Sequence, residues 1–316
     1  MVDRTKVVVI GGSGFLGSHV ADQLTLRGHL VTVFDKVPSR WIRSGQEMIV
    51  GDIFDVAAVE KAVEGASFVF NFAGLADLDE ARRKPIETIR FNILGNSYIL
   101  EACRKNNVRR FIYASTVYVY SREGGFYRCS KQAAEHYIEE YQRTFNLDYT
   151  ILRYGSLYGP RCDQKNSLFR IIQAALETGV VRYEGSPEAM REYIHVEDAA
   201  IASVDMLKDD FRNQSVVLMG KELMKVEDLL KTVAEILGIP NSVEFVNKKL
   251  QGHYVRTPYA YEPKIGRKYS PNLHVDLGQG LLQLIAEIEK NSRMRDERKD
   301  ISRDELQAHH IPYASL

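Results

Sequence analysis

Short apolar runs rich in Val, Ile, Phe and Tyr alternate with longer stretches of helical periodicity through the first half of the chain. Lys6–Ile10, Leu30–Asp35, Met48–Gly51, Ser67–Ala73, Arg110–Ser115 and Tyr149–Tyr154 are apolar almost throughout, which is the pattern of strands buried on both faces. Gly14–Arg27, Val56–Glu64, Pro85–Asn106 and Tyr127–Phe145 instead space their apolar residues three and four apart, as a helix lying on a sheet does. Strand and helix in strict turn predict an α/β fold with a doubly wound parallel sheet. The alternation loosens after Tyr158. Gly159-Pro160 opens a loop, a helix is expected at Leu168–Thr178, and short elements follow to about Lys290. The expected organisation is a first domain over 1–158, to which segments near 190–220 return, then a smaller α/β domain over 159–290 and a tail over 291–316. Residues 290–305 carry eleven charges in sixteen positions, so the tail reads as solvated.

Composition narrows the class without naming it. The 316 residues are 45% hydrophobic and 27% charged, and 42 basic residues balance 42 acidic ones. No net field draws this chain to nucleic acid or a membrane, although that balance is compatible with a local basic pocket. No uninterrupted apolar stretch exceeds six residues, even counting glycine, far below the ~20 a bilayer-spanning helix needs. Met1–Thr5 lead straight into the first strand and leave no room for a signal peptide, so a cytoplasmic location is expected. Cys103, Cys129 and Cys162 are scattered, and His19, His29, His136, His253 and His274 lack metal-ligand spacing, so no disulfide framework and no metal are expected. His309 and His310 fall in the tail. Neither a Walker lysine, a nucleophile elbow, a nucleic-acid platform nor an internal repeat is present.

The first candidate chemistry lies between a strand and a helix. In Lys6-Val-Val-Val-Ile-Gly-Gly-Ser-Gly-Phe-Leu-Gly17, Gly11, Gly14 and Gly17 satisfy one phosphate-loop spacing, and Gly12, Gly14 and Gly17 satisfy another. Glycine permits the tight turn and lets backbone N–H groups approach a pyrophosphate at a helix N-terminus. Asp35 ends the next strand 18 residues past Gly17. A carboxylate there accepts from both adenosine ribose hydroxyls and repels a 2′-phosphate, which favours NAD over NADP. Lys36, beside it, is the one feature that keeps NADP open.

Tyr127-Arg-Cys-Ser-Lys131 places a phenol and an ammonium four apart on one helix face. The ammonium is expected to favour phenolate and lower the tyrosine below its ordinary ~10. Such a tyrosine takes a hydroxyl proton as hydride leaves for nicotinamide. Ala114-Ser115-Thr116 follows a buried strand upstream, where the Thr116 hydroxyl can bond the reacting oxygen.

With these motifs in this order, residues 5–288 resemble the extended short-chain dehydrogenase/reductases, in the NAD-dependent epimerase/dehydratase family that includes UDP-galactose 4-epimerase. The resemblance implies a Rossmann-type domain over 1–158 and a substrate domain over 159–290. It implies that Gly11, Gly14, Phe15, Leu16 and Gly17 line the pyrophosphate and that Asp35 binds ribose, with Lys36 beside it. By the same resemblance Asp52-Ile53 flank adenine, and Phe72-Ala73-Gly74 follow the fourth strand along the cofactor. Asn92 takes a positioning role, Tyr154 touches the cofactor, and Thr116, Tyr127 and Lys131 form the catalytic triad. In Met190-Arg191-Glu-Tyr-Ile-His-Val-Glu-Asp198, Arg191 matches the arginine that pairs with a substrate diphosphate, a task suited to guanidinium. Arg256 is a weaker candidate for a second phosphate contact. The family also builds a homodimer through the helices expected at Pro85–Asn106 and Tyr127–Phe145.

Departures from the family pattern bear on the substrate. Val117 and Tyr118 stand where 4,6-dehydratases carry an Asp-Glu pair, so elimination chemistry is not expected. Only Ser121–Phe126 separate the strand end from the catalytic tyrosine, where the family has a longer loop. Ser156 replaces the asparagine that contacts the substrate phosphate. The expected activity is NAD-dependent oxidation at C4 of a nucleotide-diphosphate sugar, most simply as a 4-epimerase. The alternatives are a 4-dehydrogenase releasing the 4-keto sugar, a non-catalytic NAD sensor, and reduction of a non-sugar ketone.

Overall fold

Val7, Val8, Val9 and Ile10 are fully buried, at the heart of a seven-stranded sheet. In the computed structural model, which describes residues 5–246, 253–256 and 258, the strands of that sheet are β1 (Lys6–Ile10), β2 (Leu30–Asp35), β3 (Gln46–Val50), β4 (Phe68–Asn71), β5 (Arg110–Thr116), β6 (Asp148–Tyr154) and β10 (Gln214–Leu218). The tail expected at 291–316, the end of the expected substrate domain, and His274, His309 and His310 lie outside the described residues. Every pairing in the sheet is parallel, in the order β3-β2-β1-β4-β5-β6-β10. The chain winds outward in one direction from β1 and in the other from β4. That reversal opens a crevice beyond the carboxyl ends of those two strands, the ligand position of a Rossmann-type sheet.

Two apolar layers sandwich the sheet because neighbouring strand residues point to opposite faces. Val7 and Val9 pack with Leu16, Val20 and Leu24 of α1 (Phe15–Leu26) and with Ala199 and Val204 of α8 (Val196–Asp205). Val8 and Ile10 pack with α2 (Val56–Val63), α5 (Asn96–Lys105) and α6 (Gly125–Phe145) through Val59, Ala62, Ile99, Leu100 and Ile138. Each such aliphatic side chain contributes about 1.5–3 kcal/mol on burial. The remaining elements are α3 (Leu78–Arg83), α4 (Pro85–Ile89), α7 (Ser167–Thr178) and α9 (Val226–Ile236), with β7 (Ser156–Tyr158), β8 (Val181–Glu184), β9 (Met190–His195), β11 (Leu223–Lys225) and β12 (Val243–Val246). β11, β9 and β7 make a small sheet, β12 pairs with β8, and α7 and α9 close a third core around Ala175, Val181, Val226 and Leu230.

Three local expectations need correction. β3 is not buried on both faces, because it is the sheet edge; Val50 is 58% exposed. The helix expected at Pro85–Asn106 is present over residues 85–105 but is not α-helical throughout. Between α4 and α5, Arg90–Gly95 form a wider turn with i→i+5 bonding. The turn aims Asn92 inward, and a β-carbon at Gly95 would come within 2.5 Å of Ile53 Cδ1. Third, α6 starts at Gly125, two residues ahead of Tyr127. The short α3 is an element that periodicity does not report, although Asp77 caps it by accepting from the Glu80 N–H at 2.6 Å, and Asp-x-x-Glu is a legible helix start.

Candidate active site

The glycine loop turns at the end of β1. Gly11 has φ +78°, open to glycine at little cost, and any side chain there would strike the backbone of Phe72 and Ala73; a β-carbon at Gly17 would collide with the Gly11 carbonyl. Glycine at these two places lets the loop pack directly on the chain leaving β4 and on the start of α1. α1 begins at Phe15 after Gly14, without a side-chain cap and without an acidic residue in its first turn. Its opening N–H groups and the positive end of its dipole face the crevice uncompensated, which suits a pyrophosphate. Asp35 is held in place at the end of β2. Its Oδ2 accepts from the Ser13 N–H at 3.0 Å and its Oδ1 from the Val37 N–H at 3.3 Å. The exposed Lys36 sends its ammonium over the Phe91 ring at 5.9 Å. Asp52 accepts from the Phe54 N–H at 2.9 Å, and Ile53 is buried against Gly95.

On the other side of the crevice, the chain leaves β4 through Phe72, Ala73 and Gly74. The Phe72 N–H donates to the Ile10 carbonyl at 2.8 Å and the Ala73 N–H to Asn71 Oδ1 at 3.0 Å. Asn92 holds Leu75, the next residue of this loop, at both of its backbone groups. Its Oδ1 accepts from the Leu75 N–H at 2.7 Å, while its Nδ2 donates to the Leu75 carbonyl and to Ser130 Oγ, both at 2.9 Å. One amide thus ties the loop after β4 to α6, next to Tyr127.

Thr116 ends β5 beside the Tyr127 phenol, where its hydroxyl accepts from the Tyr118 N–H at 3.3 Å and favours the ionised form of that phenol. The Lys131 ammonium donates to the Ala114 carbonyl at 2.7 Å, sits 4.6 Å from the centre of the Tyr113 ring, and is 5.9 Å from that of Tyr127. The expected lowering of the phenol by Lys131 is not found. Burial pushes Tyr127 up to about 12, opposed by Thr116. Burial likewise brings Lys131 down to about 8, opposed by the charge of Glu135. Desolvation wins because the ammonium is turned to the Ala114 carbonyl rather than to the phenol.

The NAD-dependent epimerase/dehydratase family matches residues 7–220, about two thirds of the chain. The chain belongs to that family. It is 25% identical over 311 residues to the putative UDP-glucose 4-epimerase of Methanocaldococcus jannaschii, covering 91% of this chain and 99% of that one. It is 27% identical over 245 residues to the UDP-N-acetyl-α-D-glucosaminuronate decarboxylase of Bacillus cytotoxicus, covering 69% and 76%. The solved UDP-glucose 4-epimerase of Thermus thermophilus in complex with NAD superposes with a TM-score of 0.72 at 26% identity, covering 83% of this chain and 95% of that one. The chain is accordingly an NAD-dependent enzyme of the nucleotide-sugar epimerase/dehydratase family, and the glycine loop with the preset Asp35 fits that cofactor.

Beyond the family motifs, the structure adds a line of aromatic rings. Tyr127 meets Tyr118 edge-on with ring centres 6.4 Å apart, Tyr118 lies 4.6 Å from Tyr254, and the Arg191 guanidinium covers Tyr254 at 4.3 Å. Tyr118 also meets His253 Nδ1 at 3.4 Å. Arg191 is buried and donates through one nitrogen to the Met190 and Val255 carbonyls at 2.9 and 3.3 Å. Ser156 is half-buried in β7 opposite Tyr193, while Arg256 is exposed. The Tyr154 hydroxyl is engaged with Ser203 Oγ of α8 at 2.7 Å, on the α1 side of the sheet. Sequence reading missed Tyr254 and His253, which lie more than 130 residues from Tyr118, as well as the buried pair of Glu135 and Arg153 under Lys131. For Glu135 one signal was present: it sits four residues past Lys131, on the same helix face.

Proposed function

We propose that the chain oxidises C4 of a nucleotide-diphosphate sugar with NAD and returns the hydride to the opposite face, as a 4-epimerase. The observation that carries this reading is the contact of Thr116 with Tyr127 at the end of β5, with Lys131 beneath them. Bound NAD supplies a hydride acceptor and donor. Tyr127 receives the C4 hydroxyl proton as hydride departs, leaving a ketone, and gives it back on return. Thr116 favours the ionised phenol against the effect of burial, and the Lys131 ammonium stands 5.9 Å from the centre of the ring. In this reading residues 1–158, with the return through 190–220, hold the dinucleotide. The segment from 159 onward carries the sugar side, where Arg191 meets the diphosphate and Ser156 and Arg256 lie at its margins. The epimerase names of the Methanocaldococcus and Thermus relatives support C4 chemistry. Elimination is disfavoured because Val117 is buried and Tyr118 is packed against Tyr254, leaving no carboxylate at either position.

A second reading, a 4-dehydrogenase that releases its ketone, draws on the short 121–126 segment. A groove of about 420 Å³ opens beside it, between α3 and the start of α6, lined by Leu78, Asp79, Arg82, Phe126, Arg128 and Cys129. Incubation with UDP-, GDP-, CDP- and dTDP-sugars, followed by chromatography of the products, separates the two. An epimer with no net cofactor reduction supports the first, accumulation of reduced cofactor with free 4-keto sugar supports the second, and inertness toward every sugar refutes both.

The same reading includes a homodimer. Ile86, Ile89 and Leu94 on the α4–α5 stretch and Tyr137 and Phe145 on α6 are exposed, a concentration of apolar surface that a symmetric helix-to-helix contact covers.

A further inference from the structure

Two consecutive residues near the end of β5 are each bound by a different residue of α6. The Ala114 carbonyl accepts from Lys131, and the Ser115 hydroxyl donates to Glu135 Oε1 at 2.5 Å. Glu135 is 5% exposed. Arg153 of β6 holds it from the far side, Nε to Oε1 at 3.1 Å and a terminal nitrogen to Oε2 at 2.6 Å, and itself donates to the Tyr120 hydroxyl at 2.5 Å. Burying a carboxylate and a guanidinium together is a weak way to gain stability, since both lose their water. A charge that costs so much to bury calls for another use, and the nearest one is four residues back on the same helix face.

We propose that Glu135 is the positioning residue of the catalytic lysine, docking α6 on β5 so that Lys131 meets the Ala114 carbonyl. The proposal rests on the catalytic reading of Lys131. The rings that face the Lys131 ammonium are Tyr127 on its own helix and Tyr113 on β5. Burial pushes both of those phenols up, and Arg153 is engaged with Glu135. Glu135 is the group whose charge resists the fall of Lys131 towards 8.

The test is the titration of Lys131 in the NAD-loaded protein by NMR of ¹³Cε-labelled lysine, its signal assigned by its loss in Lys131→Arg. Glu135→Gln keeps the shape and removes the charge, and should lower the Lys131 midpoint by about one pH unit or more. The alkaline limb of turnover should move with it. Glu135→Asp keeps the charge and should restore the midpoint even where melting temperature stays low. Should Glu135→Gln fail to fold because the Arg153 guanidinium loses its carboxylate, the double variant Glu135→Gln, Arg153→Gln removes both charges, and a fall in the same direction, smaller than that of Glu135→Gln, is expected. The absence of any fall overturns the proposal. A Lys131 midpoint equal to wild type, with lower melting temperature alone, overturns the proposal and leaves Glu135 a structural group. The titration needs no turnover. A shifted midpoint in a protein inert toward every sugar therefore upholds this inference while the proposed reaction fails.

Discussion

The ammonium of Lys131 lies 2.7 Å from the carbonyl oxygen of Ala114, and the Tyr113 ring closes over it at 4.6 Å. Those contacts replace part of the water an exposed amine keeps, and its value falls from 10.5 to about 8. A charged lysine therefore opposes folding below about pH 8. That opposition disappears between about pH 8 and 10.5, where the unfolded chain holds a proton the folded chain has released. Lys131→Met should stabilise the protein at pH 7 by on the order of 1–3 kcal/mol while abolishing turnover. Its advantage over wild type should shrink as pH approaches 10.5. Thermal melts from pH 6 to 10.5 check both; a variant less stable than wild type at pH 7 would mean that the bond to Ala114 outweighs the buried charge.

Tyr127→Phe removes one oxygen at the crevice and leaves the ring contact with Tyr118. The fold, NAD content and nucleotide-sugar affinity should persist, while hydride transfer falls at least ~100-fold, in kcat rather than KM. Thr116→Ala should be milder, because it removes a hydrogen bond and not the acid–base group. Single-turnover cofactor absorbance with an active sugar measures this. A wild-type burst from Tyr127→Phe would sink the catalytic assignment.

Asp35 presents its carboxylate already fixed by two backbone N–H groups. A 2′-phosphate placed there meets an unpaired like charge, so NAD should bind at least ~10-fold more tightly than NADP. Asp35→Asn should narrow the ratio. Equal affinities in wild type would show that Lys36 leaves Phe91 to neutralise the phosphate.

Arg191→Ala should weaken binding of a nucleoside diphosphate by ~2 kcal/mol or more with NAD content unchanged. Calorimetry with UDP in the NAD-loaded protein is the measurement. An unchanged affinity would place the diphosphate away from the Tyr254–Arg191 contact.

If α4, α5 and α6 form the dimer face, Ile86→Asp together with Ile89→Asp should give monomers in sedimentation at micromolar concentration. A wild-type protein that sediments as a monomer refutes the dimer directly.

How far each feature is legible in the sequence depends on how local it is. Gly11, Gly14, Gly17 and Asp35 are legible because the turn, the helix start and the strand end that need them are adjacent in the chain. Tyr127 and Lys131 are legible as a pair, since helix periodicity puts them on one face. The direction of the Lys131 ammonium is not legible, because it depends on a carbonyl of β5 seventeen residues away. The same holds for the i→i+5 turn at Arg90–Gly95. Its apolar pattern reads as one helix, which it is, and only the meeting of Asn92 with Leu75 and of Gly95 with Ile53 reveals the widening. Tyr254 reaches Tyr118 across more than 130 positions, beyond anything periodicity reports.

The packing of α8 on α1 has a consequence for synthesis. Leu16, Val20 and Leu24 are covered by Ala199 and Val204, and Arg27 is paired with Asp205 at 2.8 Å. Until residue 205 has left the ribosome, a nascent chain holding the whole glycine loop and Asp35 still shows an apolar helix face to water. The half of the chain that carries the glycine loop is therefore not a separable module. A fragment ending near Tyr158 should be sticky and poorly soluble, and a graft of this half onto another protein would have to bring residues 196–218 with it.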